Sequence, residues 1–282
     1  MIAILGGLGA ATIFATATLC SSRSTRMIGA GPVLAWVMIL GALIVVPWAS
    51  VEGVPDGLDA GSLGWLAVAG FGNVAGLLLA YSALRIGKVG IVAPIVSTEG
   101  AIAAVISVLA GEQIGAGVGA TLAVIAVGIL LAASTREAQE TVRAADWLVA
   151  LYALAAAASF GVSLYATARV SAYLPIVWAL LPARVVGLIM VALPLAVTGR
   201  LRLTRPALPL VVTSGVAEVV GFTLFAIGSR HGIAVSAVLA SQFGAIAGIA
   251  AFFLFRERLA RVQLIGVVTI VVGVSALSVL QT

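Results

Sequence analysis

Charge is scarce in this sequence. Only 9% of its 282 residues are Asp, Glu, Lys or Arg, against about 25% in a soluble domain, so a water-soluble globule is excluded because its surface could not be covered. Cysteine and histidine are scarcer still. With Cys20 and His231 standing alone, neither a disulfide framework nor a zinc site of the usual Cys/His kind can be assembled, and no metal or cofactor is expected. No G-x-x-x-x-G-K-[ST] loop occurs, which excludes an ATP-driven pump. H-E-x-x-H and G-x-G-D are missing too, and Asp56, Asp59 and Asp146 fall in connections or at the start of an apolar run. An embedded enzyme therefore has nothing to work with, and no catalytic residue is assigned.

Hydrophobic side chains make up 62% of the chain and the net charge is +5. Basic residues bind nucleic acid as a patch. Here they lie in short clusters between apolar runs, so a lipid bilayer and not a nucleic acid is the expected partner. A spanning helix needs about 20 mostly apolar residues, and ten such runs are present: Ile2 to Cys20, Gly31 to Ala49, Ser62 to Leu84, Val89 to Ala110, Ala116 to Ser134, Trp147 to Ala168, Leu174 to Thr198, Ala207 to Ser229, Ile233 to Phe255 and Val262 to Leu280. They occupy 214 of the 282 residues, so function must sit inside the bundle. Turn chemistry marks Gly53 to Gly57, and Thr135 to Asp146 is the longest charged linker, at the midpoint. The first run lacks a basic leader and an A-x-A cleavage site, which predicts that it is retained.

Lys and Arg set the orientation of a membrane protein. Counting connections alternately, Arg23, Arg26, Arg85, Lys88, Arg136, Arg143, Arg200, Arg202, Arg205, Arg256, Arg258 and Arg261 fall on one side, and only Arg169 and Arg230 on the other. Glu52, Asp56 and Asp59 join the poorly basic side. This split predicts that both termini lie outside.

A shift of 145 residues brings the halves into register. Positions 65–134 and 210–279 share 11 identities in 70, close to chance for so Ala-rich a chain. The rarer residues carry the match: Arg85 falls on Arg230, Gly87 on Gly232, Glu112 on Glu257, Gly76 on Gly221 and Gly128 on Gly273. The fold expected is all-α and polytopic, with ten transmembrane helices in two five-helix repeats, 1–140 and 141–282. Because five is odd, the second repeat is inverted, a plan that places a substrate site near the midplane between the halves.

Five strongly polar residues lie near the centres of their runs: Asn73 in the third, Glu99 in the fourth, Arg184 in the seventh, Glu218 in the eighth and Gln242 in the ninth. Each central charge costs about 2.5–3.5 kcal/mol on insertion scales, so the three are expected to face one another or a water-filled cavity. One arginine cannot pair two carboxylates. The remaining carboxyl is either protonated at rest, as in a proton-coupled transporter, or neutralised by a cationic substrate. Pairing of Arg184 with one glutamate merely to fix packing is the alternative. In the 145-residue register Asn73 falls on Glu218, Glu99 on Gly244 and Ser97 on Gln242. Pro94 and Pro182 stand beside Glu99 and Arg184 as hinge candidates. Glycines four apart, at 72 and 76, 115 and 119, and 244 and 248, suit close helix approach. Glu112 and Glu257 read as helix-boundary groups and the five tryptophans as interface anchors. Tyr81, Tyr152 and Tyr165 are unranked cavity candidates, and His231 a solvated loop residue.

Together these features resemble the drug/metabolite transporter superfamily, in particular its EamA-type branch. The residues that carry the resemblance are Tyr81-Ser-Ala-Leu-Arg-Ile-Gly87, Ile91-Val-Ala-Pro-Ile95 and Gly111-Glu112 in the first half, with Ala226-Ile-Gly-Ser-Arg-His-Gly232, Phe255-Arg-Glu-Arg-Leu259 and Gln263-Leu-Ile-Gly266 in the second. The resemblance implies a ten-helix basket, with the third, fourth, eighth and ninth runs lining a central cavity and the fifth and tenth peripheral. It also implies termini in the cytoplasm, against the arginine count. The expected activity is secondary transport at the cell (plasma or inner) membrane: proton-coupled export, by alternating access, of a small polar or amphipathic metabolite such as an amino acid, amine or drug. A non-transporting scaffold, or an uncoupled facilitator of a cationic substrate, is the alternative. Either a monomer or a homodimer fits.

Overall fold

Backbone amides in a lipid-embedded chain must bond within their own segment, and the computed structural model meets that demand with helices. It describes residues 1–133 and 144–255, with Val262, Ile265, Gly266, Val268, Thr269, Val272, Gly273 and Ala276 beyond them. The helices are α1 (Ile2–Ile28), α2 (Ala30–Glu52), α3 (Ala60–Ile86), α4 (Val89–Val96), α5 (Glu99–Leu109), α6 (Ala116–Ala133), α7 (Ala144–Ser171), α8 (Ile176–Gly187), α9 (Leu193–Val197), α10 (Leu208–Ser229), α11 (Ile233–Ala240) and α12 (Phe243–Phe255); a π-helical turn, Leu188–Ala192, joins α8 to α9. Eight segments are long and apolar enough to cross a membrane, α4–α5, α8–α9 and α11–α12 each counting as one, and α6 adds a shorter apolar stretch, 116–128. The chain is thus an all-α polytopic membrane protein, with eight or nine candidate spans among the described residues. Most of the tenth run, Gln263, Glu257 and residues 134–143 of the midpoint linker lie outside the described residues; α7 takes up the linker's last three positions.

Three of the ten runs are interrupted, and the causes are local. Between α4 and α5 the Ser97 hydroxyl donates to the Pro94 carbonyl at 2.7 Å and Thr98 N donates to Ile95 O at 3.2 Å. Between α11 and α12 the Ser241 hydroxyl donates to Val238 O at 2.8 Å and Gln242 N to Leu239 O at 3.1 Å. A serine hydroxyl that captures a carbonyl of the preceding turn competes with the helix's own ladder. Pro94 sits inside α4, three residues before the break, whereas the α11–α12 break forms without proline. Helix α8 runs on through Pro182, and its irregular π turn begins at Leu188.

Helix α1 packs along α10, α3 along α7, and the broken segments cross, α4 on α12 and α5 on α11. Glycine permits the closest approaches: a Cβ on Gly72 would meet Ser159 O at 3.0 Å, and one on Gly76 the Phe160 ring at 2.6 Å. Gly119 meets only Ile114, and Gly115 and Gly248 face open space.

Contacts among the described residues gather several connections at each of two ends. At one end Arg26 donates to Leu84 O and Gly87 O, and Trp36 Nε1 to Arg202 O at 3.2 Å. At the other Arg230 donates to Ser171 O and Leu174 O, Trp178 Nε1 donates to Gly53 O, and the Glu112 carboxylate accepts from Ile233 N. Asp59 caps α3 there, accepting from Ser62 N at 2.7 Å and Ser62 Oγ at 2.6 Å, bonds that hold its exposed carboxyl below the ordinary range.

Candidate functional site

Asn73 lies midway along α3 and Glu218 midway along α10, and both are buried. Asn73 Nδ2 donates to Glu218 Oε1 at 3.2 Å. The amide satisfies one carboxylate lone pair, while its own oxygen, Oδ1, has no partner among the described residues. Glu99 reaches the same region from a third element. The Ser97–Thr98 turn makes it the first residue of α5, where unpaired N–H groups and the helix dipole favour an anion. Its carboxyl is buried and has no hydrogen-bond partner among the described residues.

Glu99 and Glu218 line one cavity of about 60 Å³, together with Tyr81, Ser21, Thr18, Phe14, Phe160, Phe222 and Phe243. That space holds only a few water molecules. The two carboxyl groups act on each other electrostatically. Tyr81 and Ser21 line the same wall, and the Ser21 hydroxyl donates to Ser214 Oγ at 3.1 Å. Edge-to-face contacts of Phe14 with Phe222 (centroids 5.2 Å apart) and Phe243 (6.4 Å) pack the aromatic wall.

Arg184 stands behind this cavity. It is 1% exposed and makes no salt bridge among the described residues. Nη1 lies 3.6 Å from Met38 Sδ, and Nε has no partner. The charges that act on it belong to Glu218 and Tyr81. A lone buried guanidinium cannot shed its proton, so its field on Glu218 is a fixed feature of the site. Gln242, in the α11–α12 break, donates from Nε2 to Val238 O at 3.1 Å and leaves Oε1 unpartnered; it lies outside the cavity wall. Pro182 packs on Gly70, where a Cβ would meet Pro182 C at 2.8 Å.

The bundle thus gathers Asn73, Glu99 and Glu218 at one point, with Arg184 in electrostatic reach and Gln242 apart. Of the three unranked tyrosines, Tyr81 lines the cavity, Tyr165 packs edge-to-face on Trp65 (5.7 Å), and Tyr152 lies against the core. Arg169 covers the other side of that chemistry, 5.9 Å from the Trp65 ring. Ser21 and the four phenylalanines carry no sequence signal that separates them from core. One signal was within reach: a register of 144 instead of 145 sets Ser97-Thr-Glu-Gly-Ala-Ile-Ala103 on Ser241-Gln-Phe-Gly-Ala-Ile-Ala247, five of seven identical. It pairs Glu99 with Phe243, both in the cavity wall. Among the described residues no three His, Cys, Asp or Glu side chains gather as metal ligands.

No curated protein matches this chain. Several solved structures match it; one of them, a crystal structure, resembles it with a TM-score of 0.76 at 17% identity, covering 99% of this chain and 96% of the other, which shows a shared fold. Residues 1–134 match the model of the EamA-like transporter family. Residues 1–134 thus belong to the EamA-like transporter family of the drug/metabolite transporter superfamily, a non-enzymatic family of membrane transporters whose partners are a small-molecule substrate and the lipid bilayer, and the chain is a multi-pass membrane protein.

Proposed function

We propose that this protein is a proton-coupled secondary exporter of a small polar or amphipathic metabolite, an amino acid, amine or drug, at the cell (plasma or inner) membrane. The observation that carries the reading is the sharing of one cavity by Glu99 and Glu218, with a single fixed cation, Arg184, acting on only one of them. Glu99 has no compensating cation among the described residues, so in this reading it holds a proton or a cationic substrate group. A scaffold would have its charges paired off, and Glu99 is not. In this reading Glu99 and Glu218 carry proton or substrate, Arg184 is their electrostatic partner, Asn73 and Gln242 supply hydrogen bonds, and Pro94 and Pro182 flank the bending segments.

Alternating access follows from two inverted five-helix repeats, 1–140 and 141–282, ten helices in all. Paired contacts support that plan. Gly100 approaches Ala237 O and Ser241, while Gly244 approaches Ala93 O and Ser97, the same contact displaced by 144 residues. Gly70 meets Pro182, while Gly215 meets Leu40 and Val37 O. The two broken segments cross beside the cavity, so rocking one half on the other opens the site to alternate faces.

The test uses purified protein in liposomes with an imposed pH gradient. A thermal-shift screen of amino acids, amines and nucleosides first supplies a substrate. Glu99→Gln and Glu218→Gln are each expected to abolish gradient-driven transport of it. Unchanged coupling in both variants would sink the proposal.

A further inference from the structure

At the basic end of the bundle three segments that are far apart in sequence meet around a second opening. Arg85 comes from the last turn of α3, and Arg200 and Arg202 from the connection between α9 and α10. The opening measures about 460 Å³, far roomier than the cavity between the glutamates, and its floor is the start of α2, residues 29–32. All three arginines are exposed, and their guanidinium groups have no partner among the described residues. No Asp or Glu occurs in the three stretches that meet at this opening, residues 20–31, 84–89 and 198–207. The arginines are not on free-swinging loops. Arg200 N donates to Leu195 O at 2.8 Å, and Trp36 Nε1 fastens the Arg202 carbonyl.

Three exposed guanidinium-bearing side chains around one concave space, without a partner among the described residues, suit a phosphate oxyanion. The rest of the wall separates two sources of phosphate. Leu78 and Leu195 line the opening on its membrane side, and Leu78 is 40% exposed on α3, about two turns below Arg85. A soluble phosphate has no use for that wall. A phospholipid sets its headgroup on the arginines and its chain along the leucines, as basic pockets between membrane helices do. We propose that this opening is a binding site for one anionic phospholipid, held by Arg85, Arg200 and Arg202 through its phosphate. These arginines then do more than orient the chain: they tie the end of α3 to the α9–α10 connection through a lipid.

The test uses the full-length protein, delipidated in detergent and titrated with phosphatidylglycerol, phosphatidylcholine or inorganic phosphate. Binding is read by native mass spectrometry and by the shift in Tm. Phosphatidylglycerol is expected to bind one molecule tightly and raise Tm, with phosphatidylcholine and millimolar inorganic phosphate giving no shift. The triple variant Arg85→Gln, Arg200→Gln, Arg202→Gln is expected to bind phosphatidylglycerol about a hundredfold more weakly. The variant Arg23→Gln, Arg205→Gln removes charge from the same end but outside the opening, and is expected to bind as wild type. Equal losses in both variants overturn the site in favour of diffuse attraction. A shift from inorganic phosphate equal to that from phosphatidylglycerol overturns the lipid and leaves a soluble phosphate ligand. Should the triple variant fail to fold, each single substitution is expected to cost several-fold, and wild-type affinity in all three overturns the proposal.

Discussion

Asn73 and Glu218 hydrogen-bond to each other across 3.2 Å and stand 145 positions apart in the chain, the very spacing at which Arg85 falls on Arg230 and Glu112 on Glu257. Corresponding positions of two repeats touch only where they meet the axis relating them. In the proposed repeat, therefore, the amide–carboxyl pair marks the axis, and the cavity beside it is lined from both halves.

An exchange experiment tests this pairing. Asn73→Glu alone sets two carboxyls at hydrogen-bond distance, and Glu218→Asn alone sets two amides there while removing the group that acts on Arg184. Each single variant is expected to lose about 1–3 kcal/mol of stability. The double exchange rebuilds an amide–carboxyl bond and is expected to recover most of that loss, read as a double-mutant cycle from thermal unfolding in detergent. Simple additivity of the two losses would exclude the symmetric reading of the contact. Transport need not recover, because the carboxyl then sits on the other side of the axis, further from Arg184.

How far these features were legible depends on the physics behind each. Long apolar runs report a membrane helix directly, and the depth of Asn73, Glu99 and Glu218 follows from counting to their centres. Helix breaks at Ser97 and Ser241 leave hydropathy unchanged, since they come from a hydroxyl bonding back to a carbonyl. They were hidden within the fourth and ninth runs. The one-residue change of register between α3/α10 and α5/α12 hid the Glu99–Phe243 correspondence in the same way. Phe14, Phe160 and Phe222 line a cavity, yet their sequence context is that of any core phenylalanine. Pairing of Arg184 with one glutamate is the alternative the sequence leaves open; among the described residues its guanidinium lies beside Met38 and acts on Glu218 without a salt bridge.

The crossing of the broken segments makes a prediction about glycine. A methyl on Gly100 meets the Ala237 carbonyl, and one on Gly244 meets the Ala93 carbonyl at 2.8 Å. Backbone cannot step aside as a side chain can. Gly100→Ala and Gly244→Ala are each expected to cost about 1–3 kcal/mol, whereas Gly248→Ala, which faces open space, is expected to be near neutral. Thermal unfolding of the three variants checks this, and a Gly248→Ala loss as large as the others would contradict the packing.

Glu112 acts across the bundle as a cap. Its carboxylate accepts from Ile233 N at 2.9 Å and Ala234 N at 3.1 Å, satisfying first-turn donors of α11 that lack helical partners. Glu112→Ala is expected to cost about 1–2 kcal/mol and to speed amide exchange at Ile233 and Ala234, with Glu112→Gln falling between. Exchange at wild-type rates in the alanine variant would remove the cap from the account.

Orientation is open to the single cysteine. Cys20 lies half-buried in α1, one turn before Arg23 at the basic end. With that end in the cytoplasm, a membrane-impermeant maleimide is expected to label Cys20 only after cells are permeabilised, and Cys20→Ser gives the background. Labelling in intact cells would reverse the orientation read from the arginines.

Arg184 offers the sharpest separation of function from stability. A buried charge without a salt bridge carries its desolvation cost uncompensated, and an apolar side chain of similar volume removes that cost. Arg184→Met is therefore expected to raise Tm while abolishing gradient-driven transport. If the guanidinium serves packing alone, the same substitution lowers Tm, or leaves transport intact. Gly41 provides an independent handle, because a methyl there would lie 2.8 Å from Arg184 Cδ and 2.9 Å from Nε and must push the side chain aside. Gly41→Ala removes no charged group, yet it moves the fixed cation relative to Glu218. It is expected to shift the pH at which transport is half-maximal. That shift depends on the arginine, so no further effect on transport is expected when Gly41→Ala is added to Arg184→Met. A Gly41→Ala variant with the wild-type pH profile would show that the position of Arg184 does not govern the carboxyl it faces.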